Sequence, residues 1–373
     1  MSLEPLFQGA AHQAERDEMP LVRQLIDRYS HEQPFAGTTI VTAHVLVRNA
    51  LPVAEALWRG GAQVVFTNAF PSRSAAPVIG ELQRAGVEVL VPEQAVRAGD
   101  LFLDVNAVLG RLRLPRAAAE ATRTGVQHYT GLLCPVVSAD DSRAKRIEGF
   151  FGTGDGFLRA WRTFFPDRPS AGLRVVQFGY GKIGRGVAHR LRAADMPVTI
   201  AEASPLALAR ARQEGFPAVE AVPKEDLRHA LTEADIVISV TGIPDQLSRD
   251  IPEAWVRAAR PVFVNMGAQD EFGPSFRDDE IAGGRQVPFN FHLDQPTLNR
   301  YVDPSLAAHL LAMEAVVLFP ESFPAGIHPL PSEMDEWLIR TWRAQWPEED
   351  LTGIAEELGL GPDEAYRAGP TPV

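Results

Sequence analysis

A chain of 373 residues has room for two domains at about 150 residues each. Its 45% hydrophobic and 23% charged residues are those of an ordinary globular protein, and a net charge of −12 argues against a nucleic-acid partner. The single cysteine, Cys134, excludes a disulfide framework and a cysteine-based zinc site, so no metal site is expected. No apolar run approaches the roughly 20 residues of a membrane span, and the start lacks a basic segment followed by an apolar core. The expected setting is the cytoplasm, with no membrane partner.

Residues 3–9 (LEPLFQG) are similar to a protease-recognition linker, and residues 1–17 are read as a flexible N-terminus. From Met19 a helix leads into an apolar strand at 39–47, a helical stretch to Gly60-Gly61, a strand at 63–68, a helix at 72–85 and a strand at 87–91. Residues 101–105 and 136–137 read as further short strands. Strands alternating with helices predict βαβ units and a parallel sheet. A second series follows Asp167-Arg168-Pro169: strands at 173–178, 197–201, 234–240 and 261–265, with helices at 183–194 and 206–214. A helical stretch at 304–318 comes next, and the end of the chain reads as an acidic helical tail.

Gly179-Tyr180-Gly181-Lys182-Ile183-Gly184-Arg185-Gly186 is G-x-G-x-x-G-x-G, set between a strand and a helix. In that context Gly179 permits the tight turn, Gly181 lets the backbone approach a pyrophosphate, and Gly184 lets helix and strand pack closely. The helix N-terminus, with Lys182 and Ile183, offers free N–H groups to phosphates. Glu202 stands eighteen residues after Gly184, at the end of the next strand. A carboxylate there binds both ribose hydroxyls of NAD and repels the 2′-phosphate of NADP. NAD is therefore the expected cofactor.

Further segments carry a family resemblance. They are Glu18-Met19-Pro20, Arg28-Tyr29-Ser30, Pro34, Gly37 and His44, then 120–126 (EATRTGV) and 140–152 (DDSRAKRIEGFFG). Val264-Asn265-Met266-Gly267 and 326–336 (GIHPLPSEMDE) complete the set. In this order they resemble S-adenosylhomocysteine hydrolases, whose matching stretches read E-E-T-T-T-G-V and N-D-S-x-x-K…D…Y-G. The resemblance implies an α/β protein with a Rossmann NAD-binding domain (151–297) inserted into a discontinuous α/β substrate-binding domain (18–150 plus 298–345). Residues 346–373 would form a C-terminal helical tail, and the protein would be a homo-oligomer. It also implies the chemistry: oxidation of a ribose 3′-hydroxyl acidifies the neighbouring C4′ hydrogen, the 5′ substituent is eliminated, water adds, and the alcohol is restored.

By the same resemblance, Thr122, Thr124, Thr241, Gly242, Asn265 and Asn290 match residues around the cofactor. Lys145 matches the lysine beside the ribose hydroxyls, with Glu148 near its partner aspartate's place. Only three lysines, Lys145, Lys182 and Lys224, stand among 36 basic residues. A lysine kept at 145 fits a base, a role closed to permanently charged arginine. His44 completes the candidate catalytic set.

Other positions depart from the family. The second aspartate of D-D-G-G-D falls at Val105, leaving Asp104. A ribose-binding glutamate falls at Ala121, and two histidines fall at Ala268 and Gln295. H-M-T-x-E-T reads His44-Val45-Leu46-Val47-Arg48-Asn49, and F-S-T-Q-D reads Phe70-Pro71-Ser72-Arg73-Ser74. Arg48 and Arg73, with Asp104 and Gln295, are candidate substrate-binding residues, and the two arginines point to an anionic group on the substrate. The leading expectation is an enzyme that transiently oxidises a hydroxyl of a non-standard nucleoside or sugar for elimination, dehydration or epimerisation. The alternatives are S-adenosylhomocysteine hydrolysis itself, and a non-catalytic NAD-binding regulatory protein.

Overall fold

The computed structural model describes residues 4–70, 75–361 and Glu364. The described strands are β1 (Thr39–His44), β2 (Gln63–Asn68), β3 (Glu88–Val89), β4 (Leu101–Asp104), β5 (Ala117–Glu120), β6 (Pro135–Ser138), β7 (Val175–Phe178), β8 (Val198–Glu202), β9 (Ala218–Glu220), β10 (Ile236–Ser239), β11 (Val262–Asn265) and β12 (Gly326–Pro329). The chain divides into two compact units, residues 1–148 with 299–373 and residues 149–298.

The first unit holds a seven-stranded sheet in the order β12-β6-β5-β4-β1-β2-β3, parallel at every pairing. Val41, Ala43, Phe102, Ala118 and Val136 are buried in one core cluster of this unit. β5 was not foreseen. Its sequence AAAE carries the helix-favouring residues Ala and Glu and no β-branched side chain. Yet it is fully buried between β4 and β6, and its alanines admit the close approach of the helix Asn299–Leu318 that packs across β5 and β6.

That helix is long and apolar enough to cross a membrane by length and composition, which corrects the reading that no such stretch exists. Its buried residues, among them Leu310, Leu311 and Met313, lie in the protein core instead. Within it, Asp303 accepts the backbone N–H groups of Leu21 (2.8 Å) and Val22 (2.9 Å), and so caps the helix Pro20–Glu32. The start of the chain also differs from expectation. Glu4–Phe7 and Ala10–Asp17 are helices, with Phe7 and His12 buried and His12 Nε2 2.7 Å from the buried Glu55 carboxylate.

The second unit holds a five-stranded parallel sheet in the order β11-β10-β7-β8-β9. Its strands read VVQF, VTIAE, IVIS and VFVN, the apolar runs of a sheet covered on both faces. The helices Lys182–Ala193 and Pro205–Gln213 connect β7 to β8 and β8 to β9. The order steps outward from β7 in both directions, so the crevice beyond the carboxyl ends of β7 and β10 is where such a sheet takes a ligand. The fold is α/β, with the Rossmann topology expected of the second unit.

Candidate active site

In the second unit, the carboxyl ends of neighbouring strands bring together Gly179 (after β7), Glu202 (the end of β8), Thr241-Gly242 (after β10) and Asn265 (the end of β11). Gly179 has φ +98°, and a side chain there would meet the Val240 carbonyl at 2.5 Å. At Gly184 a Cβ would lie 2.4 Å from the Gly179 carbonyl. Both glycines are required by the turn itself. Gly181 is different: it caps the helix Lys182–Ala193 in extended conformation, and a Cβ placed there would meet nothing within 4 Å. The protein's own packing gives no reason for glycine at 181. Close approach of a pyrophosphate does.

The Glu202 carboxylate accepts one backbone N–H on each oxygen, from Tyr180 at 2.6 Å and Ser204 at 2.7 Å. Each oxygen keeps lone pairs for ribose hydroxyls. Asn290 donates Nδ2 to the Pro296 carbonyl at 3.1 Å, while its buried Oδ1 has no partner among the described residues. These features fit NAD. Lys182 opens the helix, and Ile183 packs against the unit's core.

Sequence reading missed the side chains that hold this site. Gln177, fully buried in β7, donates Nε2 to the carbonyls of Gly179 and Gly184, both at 2.8 Å. Glu271 is buried and accepts Ser239 Oγ (2.7 Å), the backbone N–H of Thr241 (2.7 Å) and that of Gly242 (2.8 Å), so it fixes the Thr241-Gly242 turn. Asn265 ties its own loop, donating Nδ2 to the carbonyls of Gly267, Gln269 and Arg285. No motif flags Gln177 or Glu271, because each is read only through the loop it bonds.

In the first unit the same rule operates. β6, β5, β4 and β1 are adjacent, and their carboxyl ends deliver the Asp140–Lys145 turn, Glu120, Asp104 and His44. Lys145 begins the short helix Lys145–Ile147, which continues as a π-helical turn, Glu148–Gly152. Local π-turns of this kind gather at functional sites. Lys145 Nζ lies 3.6 Å from Glu148 Oε2, with the lysine side chain 16% exposed. Burial alone would lower the Lys145 pKa, but the carboxylates of Glu148, Asp140 and Glu120 outweigh it and raise it. Lys145 is an ammonium at neutral pH.

His44 Nδ1 lies 2.7 Å from the Val45 carbonyl, and burial lowers its pKa, so the ring is neutral with Nε2 as its basic atom. His309, on the helix Asn299–Leu318, places Nε2 3.1 Å from the Ala119 carbonyl. Burial pushes its pKa down to about 3, with smaller contributions from His44 and Lys145.

A family model for the S-adenosyl-L-homocysteine hydrolase NAD binding domain matches residues 156–271. Adenosylhomocysteinase of Thermoplasma acidophilum is 26% identical over 384 residues, 87% of this chain and 90% of that protein. Adenosylhomocysteinase of Nostoc sp. is 26% identical over 400 residues, 91% of this chain and 90% of that protein. S-inosyl-L-homocysteine hydrolase of Methanopyrus kandleri is 30% identical over 264 residues, 62% of this chain, and the match spans only 59% of that relative. Across most of its length the chain is similar to S-adenosylhomocysteine hydrolases, and residues 156–271 match that family's NAD-binding domain. Its cofactor is NAD.

The divergence from the hydrolase family is also visible in the geometry. Asp104 is fully buried, and its carboxylate is consumed by the backbone N–H groups of Val105, Leu109 and Gly110 and by the Tyr129 hydroxyl (2.8 Å). This corrects its reading as a substrate-binding residue: it is a loop anchor. Glu120, beside Ala121, accepts the N–H groups of Asn106 (3.1 Å), Ala107 (3.0 Å) and Thr122 (2.7 Å), plus the Thr122 hydroxyl (2.6 Å). It holds Asn106 and Ala107 in left-handed backbone, φ 58° and 49°. Burial and Asp104 push its pKa up to about 8. Neither carboxylate stands in for the acids missing at Val105 and Ala121.

Thr122 and Thr124, expected at the cofactor, lie in the first unit, where each hydroxyl donates to a neighbouring side chain. Thr122 bonds Glu120 and caps the helix Arg123–Tyr129, and Thr124 donates to Asn106 Oδ1 at 2.7 Å. Arg48 is also engaged, 3.3 Å from Glu15 and 3.2 Å from Glu81, so it is not a free cation awaiting an anionic substrate. Arg73 lies outside the described residues. Gln295 belongs to the second unit, where its carbonyl accepts Arg159 Nη1 at 2.7 Å.

Proposed function

We propose that the chain is an NAD-dependent enzyme of the adenosylhomocysteinase type that transiently oxidises a hydroxyl of a nucleoside or related sugar, and that its substrate is not S-adenosylhomocysteine. NAD, when bound, supplies reversible hydride acceptance. The chain's own residues supply the proton handling. The Lys145 ammonium donates a hydrogen bond to the reacting hydroxyl oxygen, and Glu148 takes the proton as the alcohol becomes a ketone. Lys145 is thus a donor here, not the neutral base that its sequence context suggests. Neutral His44 is available for the α-proton that the ketone acidifies.

The observation that carries this reading is the Lys145–Glu148 pair at 3.6 Å, set among buried carboxylates at the ends of β5 and β6. A non-standard substrate is supported by the locked state of Asp104 and Glu120. One missing general acid–base residue typically costs about 10² to 10⁴ in rate, and neither position lost here is backed up. The names of the relatives keep a second reading in play, namely thioether hydrolysis of S-adenosylhomocysteine or its inosine counterpart. The test is to add adenosine, inosine, S-adenosylhomocysteine and a panel of 5′-modified nucleosides to NAD-loaded protein. Reduced-nicotinamide absorbance and free thiol are then followed together. Reduction without thiol release from S-adenosylhomocysteine supports the proposal, and stoichiometric homocysteine release supports the second reading.

A further inference from the structure

The glycine motif gives its three glycines their work and leaves Tyr180, between the first two, without any. Tyr180 is 2% exposed, its ring packed in the core of the second unit and edge-on to Phe216, with ring centres 5.6 Å apart. A buried phenol needs a hydrogen-bond partner. Its hydroxyl donates to Glu214 Oε2 at 2.6 Å, with His189 Nε2 further off at 3.4 Å. At its other end the same residue donates its backbone N–H to Glu202 Oε2 at 2.6 Å. The second N–H on Glu202 leads back to the same place. Ser204, which donates to Oε1, caps the helix Pro205–Gln213, and Glu214 is the residue that ends that helix. The bonds therefore close a ring within the second unit: Glu202 to Ser204, along the helix to Glu214, across to Tyr180 and back to Glu202. Glu214 is itself held by Arg185 Nε at 2.8 Å, from the same glycine motif, by Arg210 Nε at 3.0 Å and by His189 Nε2 at 2.6 Å.

We propose that Tyr180 is a positioning residue: its hydroxyl bond to Glu214 fixes the backbone N–H that orients the Glu202 carboxylate, and so it helps select a dinucleotide with a free 2′-hydroxyl, NAD, over one with a 2′-phosphate, NADP. Each oxygen of Glu202 is tied to one N–H, so the carboxylate cannot turn aside from a second anion without breaking one of these bonds. A site that discriminates through one charge depends on that charge being held in place. Freeing the Tyr180 hydroxyl lets the turn shift and Glu202 move away from a 2′-phosphate. NADP then meets less repulsion, while NAD loses a well-placed acceptor for its ribose. The effect requires Glu202 to face the ribose and does not depend on the substrate proposed above.

The experiment is isothermal titration of the whole chain, freed of cofactor, with NAD and with NADP. It uses the wild type, Tyr180→Phe, Glu202→Ser and the double variant. Tyr180→Phe keeps the ring and the backbone N–H and removes only the hydroxyl. It is expected to narrow the ratio of NAD to NADP affinity by about fivefold, the worth of one net hydrogen bond. Added to Glu202→Ser, it is expected to leave the ratio unchanged, because a double-mutant cycle separates an effect exerted through Glu202 from a general one. A merely structural tyrosine would weaken both dinucleotides equally, and an unchanged ratio in Tyr180→Phe overturns the proposal. A ratio narrowed as much with Glu202→Ser as without it also overturns it, and so does a wild type that binds both dinucleotides alike. Should Tyr180→Phe not fold, Glu214→Asp, which keeps the charge but withdraws it by one methylene, goes through the same cycle and gives the same decision. A failure of the nucleoside assay alone counts against the proposed function and leaves the role of Tyr180 standing.

Discussion

The Lys145 ammonium and the Glu148 carboxylate stand 3.6 Å apart, three residues apart in sequence, where a short helix passes into a π-helical turn. Each supports the other: one is a partly buried cation and the other an acceptor within reach. Neutralising the acid tests the pair. Glu148→Gln is expected to lower turnover by about 10² or more while leaving the folded state intact. Full activity in that variant, measured under saturating nucleoside, would remove Glu148 as the proton acceptor.

The two glycines of the cofactor turn are expected to fail in different ways. Gly184→Ala places a methyl 2.4 Å from the Gly179 carbonyl, so it should destabilise the second unit by several degrees in a thermal melt. Gly181→Ala meets open space, so the melt of the cofactor-free protein should not move. Its NAD affinity should nevertheless fall by about tenfold or more, because the methyl stands where phosphate must approach. Isothermal titration with NAD, beside melts of both variants, reads the contrast.

Glu202 is expected to set the choice between NAD and NADP. Its carboxylate, fixed by Tyr180 and Ser204, is expected to favour NAD by about two orders of magnitude, because a 2′-phosphate would face a like charge in place of a hydroxyl. Glu202→Ser should weaken NAD binding and narrow that ratio. Equal affinities in the wild type would contradict the assignment.

Glu214 provides a pH test of the second unit. It accepts Arg185 Nε (2.8 Å), the Tyr180 hydroxyl (2.6 Å) and His189 Nε2 (2.6 Å). Burial opposes ionisation, but these donors win and hold its pKa down at about 2. A folded pKa below the unfolded value means stability that is fully present above about pH 4.5 and lost as pH falls toward 2. Glu214→Gln should therefore melt several degrees below wild type at pH 7, and the gap should close through the acid range. A gap independent of pH would show that the ionised carboxylate is not what stabilises the cluster.

How much of this was legible in the sequence depends on the range over which each feature is written. The glycine turn is local: strand, three glycines, helix and the acid at 202 lie within about 30 residues, the span of one βαβ unit, and all fall where they were read. β5 was not legible, because Ala117–Glu120 becomes a strand only through burial between β4 and β6. Nor were the fates of Asp104, Glu120 and Arg48. Asp104 and Arg48 were read as substrate-binding and Glu120 only as part of a family segment, but partners elsewhere in the chain engage all three: Gly110 and Tyr129 for Asp104, Asn106 and Ala107 for Glu120, Glu15 and Glu81 for Arg48.

We propose that this chain uses NAD to oxidise a nucleoside or sugar hydroxyl, with Lys145 and Glu148 handling the proton. The most direct measurement is a single-turnover experiment: NAD-loaded protein is mixed with each nucleoside of the panel and the absorbance of reduced nicotinamide is recorded, for wild type and for Lys145→Ala. At least one nucleoside other than S-adenosylhomocysteine is expected to reduce the bound cofactor in the wild type, and Lys145→Ala is expected to slow this by about 10² or more. No reduction by any nucleoside, or the same rate in Lys145→Ala as in wild type, would contradict it.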